Sequence, residues 1–125
     1  MTVRTRPRHC GLDAAMEVIS GKWKVLILWE LHDGDRRFGE LRRSVPGVSD
    51  KVLVEQLRQL EADRVVRREL DDEVSPPRVE YSLTAMGREL FEALRPLGAW
   101  GREHLVPAAR DGEQVLAAAV KRGPG

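Results

Sequence analysis

Apolar residues recur along this chain with two different periods, and the change of period marks its architecture. Leu12, Ala15, Met16 and Ile19 fall at helical spacing, which predicts a short amphipathic helix over 12–20, closed by Ser20-Gly21. The next stretch, about 22–32, is apolar on nearly every side: Trp23, Val25, Leu26, Ile27, Leu28, Trp29 and Leu31. A helix of that kind must be surrounded by others and forms the middle of the core. Asp33-Gly34-Asp35 ends it, and Arg36-Arg37-Phe38 reads as a short extended piece. Phe38, Leu41 and Val45 then mark a two-turn helix stopped by Pro46-Gly47. Ser49 is a favourable N-cap for a helix over about 50–63. In it Leu53, Leu57 and Leu60 form one apolar stripe, and the opposite face carries Lys51, Glu55 and Arg58.

After Arg64 the period becomes two. Residues 65–70 read as one strand, and Val79, Tyr81 and Leu83 alternate with Arg78, Glu80 and Ser82 in a second. The acidic, proline-rich segment from Asp71 to Pro77 joins them as a hairpin tip. Thr84 can cap a long final helix over about 85–105, in which Pro96 predicts a kink. Its apolar side holds Met86, Leu90, Ala93, Leu94, Leu97, Trp100 and His104, widened by Phe91 and Leu105 to about half the circumference. The expected fold class is therefore mostly α with a small β-hairpin. One domain is expected over 10–110, preceded by a basic disordered arm over 1–9. A tail follows over 111–125, in which 111–122 can form one more short helix.

Composition narrows the picture. A chain of 125 residues suits one core rather than two. Charged residues make up 33%, above the roughly 25% usual for globular proteins, as expected of helices with heavily solvated faces. No apolar run approaches the roughly 20 residues that span a bilayer. Thr2 to His9 is basic and polar with no apolar stretch behind it, so no secretory signal or membrane partner is expected and the location expected is the cytoplasm. The net charge of +1 excludes a polycation that coats nucleic acid indiscriminately, so any contact with DNA must come from local placement of Arg and Lys.

The order short helix, Pro-Gly turn, capped helix, hairpin suggests such a placement. Two helices joined by a tight glycine-containing turn make a helix-turn-helix, whose second helix lies in the major groove with its N-terminal residues at base edges. Lys51 and Arg58 could then meet phosphates or guanine, and Ser49 and Asp50 could present a hydroxyl and a carboxylate to bases. An ordinary helical hairpin with solvated charges has the same periodicity, since fold alone does not give function.

The residues themselves weigh between the two. The stretch Cys10 … Ile19-Ser20-Gly21-Lys22-Trp23 … Leu26-Ile27-Leu28-Trp29-Glu30-Leu31 … Arg36-Arg37-Phe38-Gly39-Glu40-Leu41 … Val45-Pro46-Gly47-Val48-Ser49-Asp50-Lys51-Val52-Leu53 resembles the HxlR-type regulators, a MarR-related branch of the winged-helix proteins. The likeness continues through Leu57-Arg58-Gln59-Leu60-Glu61-Ala62-Asp63, Pro76-Pro77-Arg78-Val79-Glu80-Tyr81-Ser82-Leu83-Thr84, Gly87-Arg88 and Trp100-Gly101, with spacings kept over about 10–104. It implies a winged helix-turn-helix, a dimeric cytoplasmic DNA-binding regulator, and no catalytic site. Two positions depart from the pattern: Gly11, where the family often has proline, and Arg64, where it usually has glycine. A left-handed C-cap suits arginine poorly, so the turn into the hairpin is expected to differ there.

On this reading Lys51, Ser49, Asp50, Glu55 and Arg58 serve the major groove. Arg78, with Arg67 or Arg68, serves the wing, and Arg36 and Arg37 serve the backbone, flanked by Arg42 and Arg43. The surplus apolar surface around Leu90, Leu94, Leu97 and Trp100, with Leu12 on the first helix, is expected to pair with a second copy. Two-fold pairing predicts a pseudo-palindromic operator with half-sites roughly 34 Å apart, and repression is the expected mode. Cys10, the one cysteine, precedes a helix start and follows Arg8 and His9, a setting that favours thiolate; some members of the family sense oxidants or electrophiles through a cysteine at the matching place. A small residue packing the helix start is the plainer alternative.

Enzymatic and metal readings find no support. There is no glycine-rich phosphate loop, no His-Glu-x-x-His and no cysteine pair, His9, His32 and His104 are far apart, and no cofactor is expected. Two alternatives to the DNA-binding redox regulator stay open: a winged-helix protein–protein adaptor, and a regulator that answers a small-molecule effector with no thiol switch.

Overall fold

The computed structural model describes residues 10–106. The expectations for the arm over 1–9 and the tail over 111–125 lie outside the described residues. The elements run α1 (Gly11–Ile19), α2 (Lys24–His32), β1 (Arg36–Arg37), α3 (Phe38–Ser44), α4 (Asp50–Ala62), β2 (Val66–Asp71), β3 (Arg78–Leu83) and α5 (Ala85–Leu105). This is a winged helix.

Helix α2 is the hub, as its all-round apolar pattern requires. Ile27, Leu28 and Leu31 are fully buried, and the helix packs on α3, α4, α5 and β3. Its turn next to the core also holds Lys24, which is just as buried; the Nζ donates a hydrogen bond to Gln59 Oε1 on α4. A lysine cannot sit in a core without such acceptors. The bond therefore fixes α2 against α4.

The hairpin is the larger part of a three-stranded antiparallel sheet in the order β1-β3-β2. The two residues of β1 add an edge, with Arg36 opposite Tyr81 and Arg37 opposite Glu80. Along β2 and β3, Val66 faces Leu83, Arg68 faces Tyr81 and Leu70 faces Val79, while Arg67 faces Ser82, Glu69 faces Glu80 and Asp71 faces Arg78. Because strand side chains alternate, the first set lies on the core side and the second on the outer side. Val66, Tyr81 and Leu83 are buried accordingly.

Arg64, a residue poorly suited to a left-handed C-cap, takes that conformation nonetheless, with φ 67°. Val65 N–H bonds to Leu60 O at 3.1 Å and Arg64 N–H to Glu61 O at 2.9 Å. These are the two bonds of a Schellman cap, so the turn keeps its usual geometry despite the missing glycine. The next element locks onto it. Thr84 N–H donates to Val65 O at 3.1 Å, its hydroxyl to Arg64 O at 2.7 Å, and the same hydroxyl accepts from Gly87 N at 2.9 Å.

Helix α5 starts from that joint and runs unbroken through Pro96. Pro96 and Glu92 are both exposed, so the Glu92 carbonyl that loses its partner faces water. Gly87 and Phe91 are buried, Leu90 and Leu94 are partly buried against the core, and Leu97, Trp100 and Leu105 are more than half exposed. On α1, Leu12 is 69% exposed and Met16 45%, although Ile19 reaches the core. None of the described helices is long and apolar enough to cross a membrane.

Candidate nucleic-acid interface

The helix-turn-helix consists of α3, the turn over 45–49 and α4. Val45 and Val48 are buried and hold the turn to the core, and Gly47 turns the chain between them at φ +85°. Ser49 caps α4, its Oγ accepting from Val52 N at 3.2 Å, which leaves the hydroxyl proton free to donate. Leu53, Leu57 and Leu60 are fully buried. The stripe they form turns Lys51, Glu55 and Arg58 outward, one helical turn apart, and all three are exposed. Neither Lys51 nor Arg58 makes an ion pair among the described residues. Both cations are available to a ligand.

Asp50 is placed differently from the expectation of a free carboxylate. It accepts from Arg42 Nε at 2.5 Å, an exposed pair that ties α3 to the first turn of α4. Arg42 is thereby turned toward Asp50, while Arg43 remains exposed and makes no ion pair among the described residues.

The sheet register sorts the remaining arginines. Arg67 and Arg78 share the outer side of the wing with Arg37, whereas Arg68 lies with Arg36 on the side of Tyr81. Arg37 and Arg78 also line one groove of about 350 Å³, between the wing segment 74–79 and the start of α3. Arg78 Nη1 lies 3.9 Å from Glu80 Oε2, at the limit of an ion pair. Arg36 Nη1 donates to Asp35 O at 3.1 Å.

The electrostatics of this corner are recorded by Glu40. Its carboxylate accepts from the Arg37 backbone N–H at 2.8 Å. That bond is the main reason Glu40 lies below the usual carboxylate value; burial opposes it, and the smaller effects of the Arg37, Arg36 and Arg43 charges add to it. Three arginines lie close enough to act on this one acid.

Cys10 is exposed at the N-cap of α1, and its backbone N–H donates to Asp13 Oδ1 at 3.2 Å. Of the residues assigned to self-association, Leu12, Leu97 and Trp100 are exposed, whereas Leu90 and Leu94 spend part of their surface on the chain's own core. No cluster of His, Cys, Asp or Glu among the described residues could hold a metal ion. Sequence reasoning missed the buried role of Lys24 and, although it named both Arg42 and Asp50, their pairing with each other. A lysine on a helix apolar on nearly every side was the available signal for the first; the pairing, eight residues apart and across a turn, had none.

The sequence pattern of the HxlR-like helix-turn-helix family matches residues 18–109. The HTH-type transcriptional regulator YtcD of Bacillus subtilis is 44% identical over 112 residues, covering 90% of this chain and 88% of YtcD. Among solved structures, a MarR-family transcriptional regulator from Enterococcus faecalis superposes with a TM-score of 0.74 at 38% identity, over 88% of this chain and 99% of the other. The redox regulator HypR in its reduced form gives 0.70 at 40% identity, over 75% of this chain and 92% of HypR. These relatives are regulators rather than enzymes. The chain belongs to the HxlR-like helix-turn-helix family of transcriptional regulators.

Proposed function

We propose that this regulator works in the cytoplasm as a homodimer that represses nearby genes by binding a pseudo-palindromic operator. The observation that carries the reading is α4: its buried leucine stripe is satisfied by the core, and its other face presents Lys51, Glu55 and Arg58, with neither cation in an ion pair among the described residues. Lys51 and Arg58 meet phosphate or guanine, and the Ser49 hydroxyl donates to a base edge. Asp50 acts through Arg42, fixing the angle of α4 rather than reading a base. Arg78 and Arg67 serve the wing from its outer side, with Arg37 behind them, and Arg36 supports the strand edge. Arg68 is the least suited of the set. Leu12, Met16, Leu97 and Trp100 are the exposed apolar residues of α1 and α5 that a second copy covers, since a monomer gains nothing by leaving them in water.

A thiol response through Cys10 belongs to the same proposal. Its support is the exposure of the thiol and the 40% identity with a redox regulator. With one cysteine per chain, a disulfide must join two chains. Two Cys10 thiols then lose two protons and two electrons, which diamide takes up as its hydrazine.

Fluorescence anisotropy with duplex from the gene's own upstream region tests both parts, at two salt concentrations, with and without diamide, beside random duplex. Selective binding that weakens steeply with salt supports the operator reading. Binding no tighter than to random duplex overturns it for that region. Release by diamide in the wild type and not in Cys10→Ser supports the thiol switch, and equal release ends it.

A further inference from the structure

The short link between α1 and α2 runs along the flank of α4. Gly21, at φ +111°, turns the chain there, and two close approaches fix the link in place. A Cβ at Gly21 would lie 3.6 Å from Gln56 Oε1, and one at Gly47 would lie 3.6 Å from Trp23 Cη2. Gln56 Oε1 is itself buried at this seam, and the first residue of α2, Lys24, donates to Gln59. Val52, Gln56 and Gln59 recur at i, i+4 and i+7, which makes them the stripe of α4 next to Lys51, Glu55 and Arg58. The link therefore touches both the turn before α4 and the side of α4 that adjoins its exposed face.

Lys22 is the exposed cation of this link. Its Nζ lies 4.7 Å from the centroid of the Trp23 ring, and it makes no ion pair among the described residues. A lysine in open water spreads its charge over many rotamers. Laid on an aromatic face, the ammonium stays above a ring whose edge reaches Gly47, two residues before the N-cap of α4. A major groove is about 12 Å wide and a helix with its side chains about 10–12 Å across, so a helix in the groove fills it, and what stands on its flank meets the bordering strand. We propose that Lys22 is a further DNA-binding residue, its ammonium taking a phosphate of the strand beside α4 and Trp23 serving as the platform that holds it there. This rests on the reading of α4 as the helix in the groove. A contact to the backbone adds affinity and fixes register without reading sequence.

Fluorescence anisotropy of the full chain tests it, with upstream and random duplex at about 50 and about 200 mM salt. Lys22→Ala, Lys22→Arg and Lys51→Ala are compared with the wild type. Lys22→Ala is expected to lose affinity by one common factor on both duplexes. Its slope of log affinity against log salt falls by about one, so the deficit shrinks roughly three- to fourfold between the two salts. Lys22→Arg keeps the wild-type slope, because a phosphate accepts either cation. Melting temperature and oligomeric state stay unchanged in both, as the side chain is exposed. Wild-type affinity and slope in Lys22→Ala, beside a loss in Lys51→Ala, overturns the inference and leaves the role of α4 standing. A loss in Lys22→Ala beside an unaffected Lys51→Ala keeps Lys22 as a DNA contact and overturns the role of α4. If neither variant differs from the wild type, both fall. A loss in Lys22→Ala confined to the upstream duplex also overturns the inference, because a phosphate contact is blind to sequence.

Discussion

Replacing Gly87 by alanine adds one methyl group at the most tightly closed joint of the molecule. A Cβ at this position would lie 2.0 Å from the Val65 carbonyl oxygen, 3.0 Å from its carbon and 3.3 Å from its Cα. The methyl must therefore retreat by about 1 Å before the contact becomes tolerable. Neither side can retreat freely. Val65 O accepts from Thr84 N–H and Val65 N–H donates to Leu60 O, so moving the strand start breaks the cap of α4. Moving α5 breaks the bonds of Thr84 to Arg64 O and Gly87 N. Alanine does gain helix propensity over glycine, up to about 1 kcal/mol in a helix interior and less in a first turn. Overpacking costs about 1–3 kcal/mol, and each weakened hydrogen bond about 0.5–1.5 more. The clash wins.

The expected result is a loss of about 2–4 kcal/mol, equivalent to a fall in Tm of roughly 10 °C or more. Urea unfolding followed by tryptophan fluorescence measures it, at one fixed protein concentration because self-association adds to apparent stability. Gly98→Ala is the control in the same helix. Its Cβ meets nothing, so propensity acts alone and the protein gains up to about 1 kcal/mol. If Gly87→Ala were neutral or stabilising, the close seating of α5 on Val65 would be wrong, and with it the account of how the wing and the last helix are joined.

Arg64→Gly should stabilise the chain by about 0.5–1 kcal/mol in the same unfolding assay. It removes a left-handed arginine, which costs about 1–2 kcal/mol, at the expense of about 0.4–1 kcal/mol of unfolded-state entropy. Lys51→Ala should weaken operator binding and lower the slope of log affinity against log salt by about one; Arg78→Ala should weaken it more than Arg68→Ala, and equal losses would refute the division of the wing into two sides. Glu40 has a folded-state pKa below the usual 4.5, so its contribution is complete above that pH and is lost as pH falls through the lowered value. The stability difference between wild type and Glu40→Gln should accordingly be present at neutral pH and shrink below 4.5; a difference that grew on acidification would contradict the sign. Trp100→Glu with Leu97→Glu should yield monomers in sedimentation while leaving the fold intact, because both side chains are more than half exposed in the single chain.

How much of this was legible in the sequence depended on whether a residue's role is set by its neighbours along the chain or across space. Helices α4 and α5 and the strands β2 and β3 are long enough for a period to repeat, and their ends match the pattern within a residue or so. Strand β1 has two residues, too few for any period, so its pairing with β3 and the delivery of Arg37 to the outer side of the wing were out of reach. Arg64 shows the opposite limit. Local propensity argued against a left-handed arginine, yet two cap bonds and the Thr84 hydroxyl, all made with residues that the fold brings there, outweigh a penalty of about 1–2 kcal/mol. Asp50 illustrates the cost for function. In sequence it is a free carboxylate at the start of α4; in space it is paired with the exposed Arg42 across the turn, a partner that no spacing along the chain signals. The same logic governs the apolar surplus of α5. Periodicity shows which residues are apolar, but Leu90 and Leu94 find partial cover within the chain while Leu97 and Trp100 stay more than half exposed, and only that division picks out the latter pair as the one proposed to meet a second copy.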